Sequence, residues 1–350
     1  MTNTNPVLGI IGGGQLGSML AAAAKKLKIK TIILTDDPKT SAKNFCDEII
    51  ITNYNNLKKI DDFISKVNFV TFEFENIPFN VLEHISIHKP VYPKPSINQI
   101  LQNRFMEKKF VNKQGIKTTN YILIKNKSDL FNDQALLPGF LKTCTLGYDG
   151  KGQYVLNSKD EIDDLNIDFK KEYILEKKIN LKKEISVIIT RFLNNECLIY
   201  EPIENLHVNQ MLNRSVIPAA IDKNIFTLAQ QQTKLLAERL DYIGTMCVEY
   251  FIDENNNLLL NEIAPRVHNS GHLTINAYNI SQFENHVRAV CNLEKIGLKK
   301  NYNAEMINII GEKIIIYRSK SFSKNEFFFD YLKKEIKEKR KMGHITIIKP

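Results

Sequence analysis

The chain has 350 residues, enough for two or three domains of about 100–200 residues each. With 43% hydrophobic and 25% charged residues, and Gly and Pro totalling 15 + 11 = 26, it is neither disordered, collagen-like nor low-complexity. The formal charge of +9 comes from 40 Lys and 8 Arg spread along the chain without interleaved aromatic residues, which points to anionic small molecules and away from nucleic acid.

In chain order, the run Val7–Ile11 reads as a strand, GGGQLG at 12–17 as a glycine turn, Ser18–Lys28 as a helix and Thr31–Thr35 as the next strand. Further strands are predicted at 49–52, 69–74 and 90–92, with a helix at 56–66. This is the start of a doubly wound parallel sheet. Two prolines in Tyr92-Pro93-Lys94-Pro95 mark a boundary. Residues 96–113 read as a charged helix, and 139–155 as strand, glycine-rich loop and strand. Strand-like alternation covers 173–190 and 197–203. A helix is predicted at 223–240. An antiparallel pair at 246–252 and 257–263 turns at Glu254-Asn255-Asn256. A helix at 282–294 follows, and 313–318 and 344–348 read as strands around a charged stretch at 320–341.

No apolar run reaches the roughly 18–20 residues of a membrane helix. The N-terminal MTNTNPV lacks the basic and apolar regions of a signal peptide. A cytoplasmic protein with no membrane partner is expected. The five cysteines, at 46, 144, 197, 247 and 291, show no CxxC spacing, so reduced thiols are expected.

Gly12, Gly14 and Gly17 fit G-x-G-x-x-G between a strand and a helix, and Asp36 follows about 20 residues on. Alone, this pattern supports an NAD-dependent dehydrogenase. Four later segments have no place in that reading. Lys142-Thr143 precedes Gly147-Tyr148-Asp149-Gly150-Lys151-Gly152-Gln153, a glycine-punctuated loop suited to closing over a triphosphate. Glu176 and Glu184 sit where they could hold ribose hydroxyls, or simply face solvent. Glu249 and Glu262 lie in otherwise apolar strands of one hairpin, where burial demands a cation or a salt bridge. Hard oxygen ligands there suit Mg²⁺ carrying phosphates. Finally, NEIAPRVHNSGH at 261–272 gathers Arg266, His268 and Asn269 at a strand end.

Strand, glycine loop and paired acids before N-E-x-x-P-R resemble the ATP-grasp superfamily. GGGQLG, TFEFENIP, GYDGKGQ, NEIAPRVHNSGH, QFENHVRAVC and RKMGH, in that order, resemble the N5-carboxyaminoimidazole ribonucleotide synthetase family over nearly the whole chain. The resemblance implies a Rossmann-like N-terminal domain at 1–95 on the ribonucleotide side, a central lobe with the lid at 96–172, and a C-terminal lobe and tail at 173–350. It implies ATP- and bicarbonate-dependent carboxylation of 5-aminoimidazole ribonucleotide through carboxyphosphate, with Mg²⁺ (Mn²⁺ substituting) and a homodimer. Formate-dependent glycinamide ribonucleotide transformylase is the related alternative. A degenerate nucleotide- or nucleic-acid-binding protein is a further one.

By the same resemblance, ATP would meet Arg104, Lys142, the lid Gly147, Tyr148, Asp149, Gly150, Lys151, Gly152 and Gln153, the hinge Glu176, Lys177, Lys178 and Ile179, then Glu184, His207, Asn261 and Glu262. Glu249 and Glu262 would hold the metal. The ribonucleotide would meet Gln15, Leu16, Glu75, Asn76, Tyr148, Asp149, Arg266, His268, Asn269, Lys320 and Arg340. Asp149, Lys151, Arg266 and His268 would carry the chemistry. Two departures stand out. Cys144 replaces the family's arginine after LKT, and an apparent insertion at about 321–339 leaves open which tail lysine matches Lys320.

Overall fold

The computed structural model describes residues 6–132, 134–147 and 152–349. The first sheet is parallel, in the order Glu48–Ile51, Lys30–Thr35, Val7–Ile11, Phe69–Phe72. These are short continuous apolar runs, as strands covered on both faces must be. The expected strand at 90–92 reduces to one bridge between Val70 and Val91. Helix Gln15–Lys26 buries Leu16, Met19, Leu20, Ala21 and Ala24, and its alanines let a second helix approach. That partner is Gln282–Val290, and Phe283, Val287 and Val290 share a core with Leu8, Ile10 and Leu20. His286 ties the same junction: Nε2 lies 2.8 Å from Thr71 Oγ1, and Nδ1 accepts the Thr245 N–H at 3.0 Å.

The charged helix expected at 96–113 is two helices, Pro95–Leu101 and Arg104–Lys113. Asn103 causes the break by capping the second helix, its side chain accepting the N–H groups of Phe105 and Met106. The second sheet is antiparallel, in the order Tyr121–Ile124, Tyr173–Lys177, Gly139–Thr143, Gln153–Leu156. Its strand Tyr173–Lys177 lies beyond residue 172, where the central lobe was expected to end.

The third sheet has nine strands, eight in one continuous order and a ninth, Cys197–Ile199, paired off it with Leu181–Arg191. It begins at the hairpin Leu258–Ala264 and Gly244–Asp253 and continues through Leu181–Arg191, Ile203–Val208, Met211–Ile217, Asn303–Ile310, Lys341–Lys349 and Glu326–Asp330. Helix Lys223–Arg239 covers one face, packing Ala229, Leu236 and Ala237 on Ile185, Val187 and Val248. The strand expected at 313–318 is instead a helix, Lys313–Ser319. Its three isoleucines favour strand locally. The ladder place is already taken by Asn303–Ile310, paired on both sides, and Gly311 at φ +59° turns the chain off the sheet. Only Ile314 of the three is buried. The apparent insertion is part of this sheet, since Glu326–Asp330 pairs with Lys341–Lys349. No helix among the described residues is long and apolar enough to cross a membrane.

Candidate active site

The hairpin places Glu249 directly opposite Glu262, but the next pair is Tyr250 with Leu260. Asn261 is therefore the extra residue of a β-bulge, a device that re-aims neighbouring side chains. Arg104 Nη1 donates to Glu262 Oε2 at 2.9 Å. Burial opposes ionisation of Glu262, but Arg104, with Lys142 nearby, overrides it and holds the carboxyl below its usual range. Glu249 goes the other way, raised by burial and by the charge of Glu262. His268 Nε2 stands 3.1 Å from Glu249 Oε1, and its Nδ1 accepts the Ser270 N–H at 3.3 Å. Burial, Arg266 and Lys341 push His268 well below the usual histidine range, so the neutral ring points its Nε2–H at Glu249.

Across the cleft, Lys142 Nζ donates to Glu176 Oε2 at 2.9 Å. Glu176 is 3% exposed, yet Lys108 and Lys142 outweigh burial and hold it at about 2. Its side chain is thus turned inward, while Lys177 and Lys178 of the expected hinge are exposed. Glu184 pairs with His207 Nδ1. Burial would lower His207, but the hydrogen bond to Glu184 wins and raises it.

On the N-terminal side the glycine turn is occupied by the chain itself. Glu73 accepts the N–H of Gly14 at 2.7 Å and of Gly17 at 3.2 Å. A Cβ at Gly12 would lie 2.8 Å from Glu73 Cγ. The helix end that would take a dinucleotide pyrophosphate carries a carboxylate instead, which removes the support for a dehydrogenase. Beside it, Arg266 Nη2 meets Glu75 Oε1 at 2.5 Å. Glu75 and Asn76 line one cleft with Arg104, Glu262, Cys144 and Gly147. Sequence reasoning missed Glu73; an acid just past a parallel strand, in TFEFEN, was the available signal.

Several expected residues sit differently. Leu16 is buried in the core shared with Phe283. Asn269 exchanges amide hydrogen bonds with Asn308 at 3.1 and 2.8 Å. Lys320 pairs with Glu326 at 3.3 Å, its ammonium 5.4 Å from the Phe322 ring centroid. The tail lysine that reaches the N-terminal domain is Lys333, whose Nζ donates to Gln15 Oε1 at 2.7 Å and to the Lys341 carbonyl at 2.6 Å. Arg340 donates to the Glu335 carbonyl at 3.3 Å. The Cys144 carbonyl accepts the Arg104 N–H at 2.8 Å, and burial pushes the Cys144 thiol up to about 11. Of the expected lid, Gly147, Gly152 and Gln153 are among the described residues; Tyr148, Asp149, Gly150 and Lys151 lie outside them.

An antiparallel four-stranded lobe facing a larger sheet, with basic residues and paired acids lining the cleft, defines an ATP-grasp enzyme. Family models match accordingly: an ATP-grasp domain over residues 109–283, a ribonucleotide synthetase preATP-grasp domain over 6–102, and a phosphoribosylaminoimidazole carboxylase C-terminal domain over 304–350. The chain is 36% identical to the N5-carboxyaminoimidazole ribonucleotide synthase of Bacillus subtilis (strain 168), covering 98% of this chain and 91% of that protein. It is 38% identical to the Brucella melitensis protein of the same name, covering 98% and 96%. A crystal structure of an N5-carboxyaminoimidazole ribonucleotide synthetase with ADP superposes at a TM-score of 0.94 and 37% identity, covering 100% of this chain and 94% of that one. An Aspergillus clavatus synthase structure with ADP and 5-aminoimidazole ribonucleotide superposes at 0.90 and 27% identity, covering 99% and 94%. The chain belongs to the N5-carboxyaminoimidazole ribonucleotide synthase family. It is an ATP-dependent ligase that carboxylates 5-aminoimidazole ribonucleotide in purine biosynthesis.

Proposed function

We propose that ATP lies between the two lobes with its phosphates toward Arg104, Lys142 and Glu262, and that the ribonucleotide enters from Gln15, Glu75 and Asn76. The observation that carries this is the single cleft whose lining runs from Glu75 and Asn76 to Arg104 and Glu262. Glu249 and Glu262 would hold Mg²⁺, or Mn²⁺ in its place. Two opposed carboxylates, one raised by the other's charge, fit a cation between them. Among the described residues no three His, Cys, Asp or Glu side chains form a complete metal site. Two protein ligands suit an ion completed by phosphate oxygens and water. Such an ion, when bound, neutralises charge on the transferring phosphoryl group.

Bicarbonate is a poor electrophile, so activation must come first. A bicarbonate oxygen attacks the γ-phosphorus, the bond to the β-phosphate oxygen breaks, and carboxyphosphate and ADP form. Arg104 and Lys142 spread the developing charge. Carboxyphosphate then cleaves at its carbon–oxygen bond to CO₂ and phosphate, and the exocyclic amine of the ribonucleotide adds to CO₂. Asp149 takes the amine proton, and Arg266 and His268 hold bicarbonate or CO₂; Lys151 joins this set by the family resemblance alone. Lys333 takes the place first given to Lys320 beside the ribonucleotide, with Arg340. Glu184 and His207 hold the ATP ribose. The proposal extends to a cytoplasmic location and a homodimer, carried over from the family resemblance.

The test is ADP release measured with each co-substrate alone and with both. Release should rise strongly only when bicarbonate and 5-aminoimidazole ribonucleotide are both present. Equal stimulation by formate with glycinamide ribonucleotide would favour the transformylase chemistry instead.

A further inference from the structure

Glu107 and Lys108 are 2% and 1% exposed, yet no step of the chemistry uses them. Burying two adjacent ionic side chains is costly unless each is fully engaged. Both are engaged by the strand that carries Glu262. Lys108 Nζ donates to the Asn261 carbonyl at 3.2 Å. Glu107 Oε1 accepts the Ile263 N–H at 2.5 Å. Glu262 itself is held by Arg104. Three residues on one face of one helix, spaced i, i+3 and i+4, therefore grip three consecutive strand residues.

The position of the grip matters. Leu258–Ala264 is the outermost strand of its sheet, and along its outer edge the backbone meets the segment before Tyr121 at one bridge, Leu260 with Thr118, where the Leu260 N–H donates to the Lys117 carbonyl at 2.8 Å. Asn261 is the residue left over by the bulge opposite Glu249. That bridge ends at Leu260, so from Asn261 to Ile263 the outer edge is held by helix side chains, and the bulge there lies beside both metal-site carboxylates. Lys108 also faces Glu176 Oε1 at 3.6 Å, while Glu176 Oε2 holds Lys142. Lys108 thus stands between the bulge and the carboxylate that orients the phosphate-side lysine, joining the two lobes at the cleft.

We propose that Glu107 and Lys108 are positioning residues that clamp the Asn261–Ile263 bulge and so set where Glu262 and Lys142 meet the ATP phosphates. This rests on the assignment of Glu262 and Lys142 to the phosphate site. Lys108→Met keeps much of the volume and removes the donor. Glu107→Asp keeps the carboxyl group and withdraws the acceptor by one methylene. Each should raise the KM for ATP and weaken ADP binding by calorimetry by about 10- to 100-fold, the scale of an ångström-sized misplacement. The KM for 5-aminoimidazole ribonucleotide should move less than about twofold. Glu107→Gln, which keeps an acceptor oxygen in place, should recover most of the loss seen in Glu107→Asp. Unchanged ATP and ADP constants in folded Glu107→Asp, or equal rises in both substrate KM values, would overturn the clamp. So would Glu107→Gln as impaired as Glu107→Asp. Glu262→Gln measured alongside separates the two levels: if it is inactive while the clamp variants are normal, only the clamp fails; if it is active, the phosphate-site assignment fails first.

Discussion

Glu262→Gln should lower turnover by about 10²- to 10³-fold, the loss expected when a preorganised electrostatic contact at the transferring group is removed. The amide keeps the shape and still offers an oxygen to Arg104, which donates to Glu262 Oε2 at 2.9 Å. What it removes is the charge. Glu262 is held below the usual carboxylate range by Arg104 against the effect of burial, so that charge is present throughout the neutral range. Neutralising it would leave Arg104 and Lys142 without their counter-ion on this side and, on the proposed metal assignment, would weaken the hold on Mg²⁺. Glu249, raised in part by Glu262, should ionise more readily in the variant and offset some of the loss. The check is kcat across a Mg²⁺ titration, with thermal melting to show that the fold survives. Normal turnover at low Mg²⁺ would mean that the two acids form a structural pair with their basic neighbours.

Lys333→Ala should raise the KM for 5-aminoimidazole ribonucleotide by about 10- to 150-fold while leaving the KM for ATP nearly unchanged. Losing one charge-assisted hydrogen bond removes about 1.5–3 kcal/mol. Lys333 comes from the tail, yet its ammonium reaches Gln15 of the N-terminal domain at 2.7 Å. It does so at the first turn of helix Gln15–Lys26, where Glu73 already caps Gly14 and Gly17. An anionic substrate arriving there meets Glu73 and Glu75 as well as Lys333 and Arg266, so cationic side chains must balance the two acids. Lys320→Ala provides the contrast, because its ammonium is taken up by Glu326 and an aromatic cluster. If Lys320→Ala raises the ribonucleotide KM and Lys333→Ala does not, the pocket lies elsewhere on the tail.

The contrast between those two lysines shows what the sequence could reveal. Lys320 and Lys333 stand in similar lysine-rich surroundings, and only the pairing of Glu326–Asp330 with Lys341–Lys349 decides which one returns to the N-terminal domain. The hairpin acids were legible, because a lone carboxylate in MCVEYFI or LLLNEIA has few alternatives to a partner across the turn. The bulge beside them was not, since Asn261 meets its helix partner, Lys108, from about 150 positions earlier. Glu107 and Lys108 fall in the stretch read only as one charged helix; their burial comes from docking on the sheet edge and leaves no local pattern. Lys313–Arg318 misled for a related reason, its β-branched run having no free ladder place to occupy. The glycine turn was legible as an anion-ready loop, but its occupant, Glu73, lies 56 to 59 positions away.

Transfer of oxygen from bicarbonate to phosphate tests most directly whether ATP and the ribonucleotide chemistry meet in one cleft. With bicarbonate labelled by ¹⁸O, ATP and 5-aminoimidazole ribonucleotide, attack on the γ-phosphorus followed by carbon–oxygen cleavage leaves one labelled oxygen in each phosphate released. Mass spectrometry of the phosphate should show that single label in step with formation of N5-carboxyaminoimidazole ribonucleotide. Carboxylation accompanied by unlabelled phosphate would mean that ATP is cleaved by water and that carboxyphosphate is not the species this cleft makes.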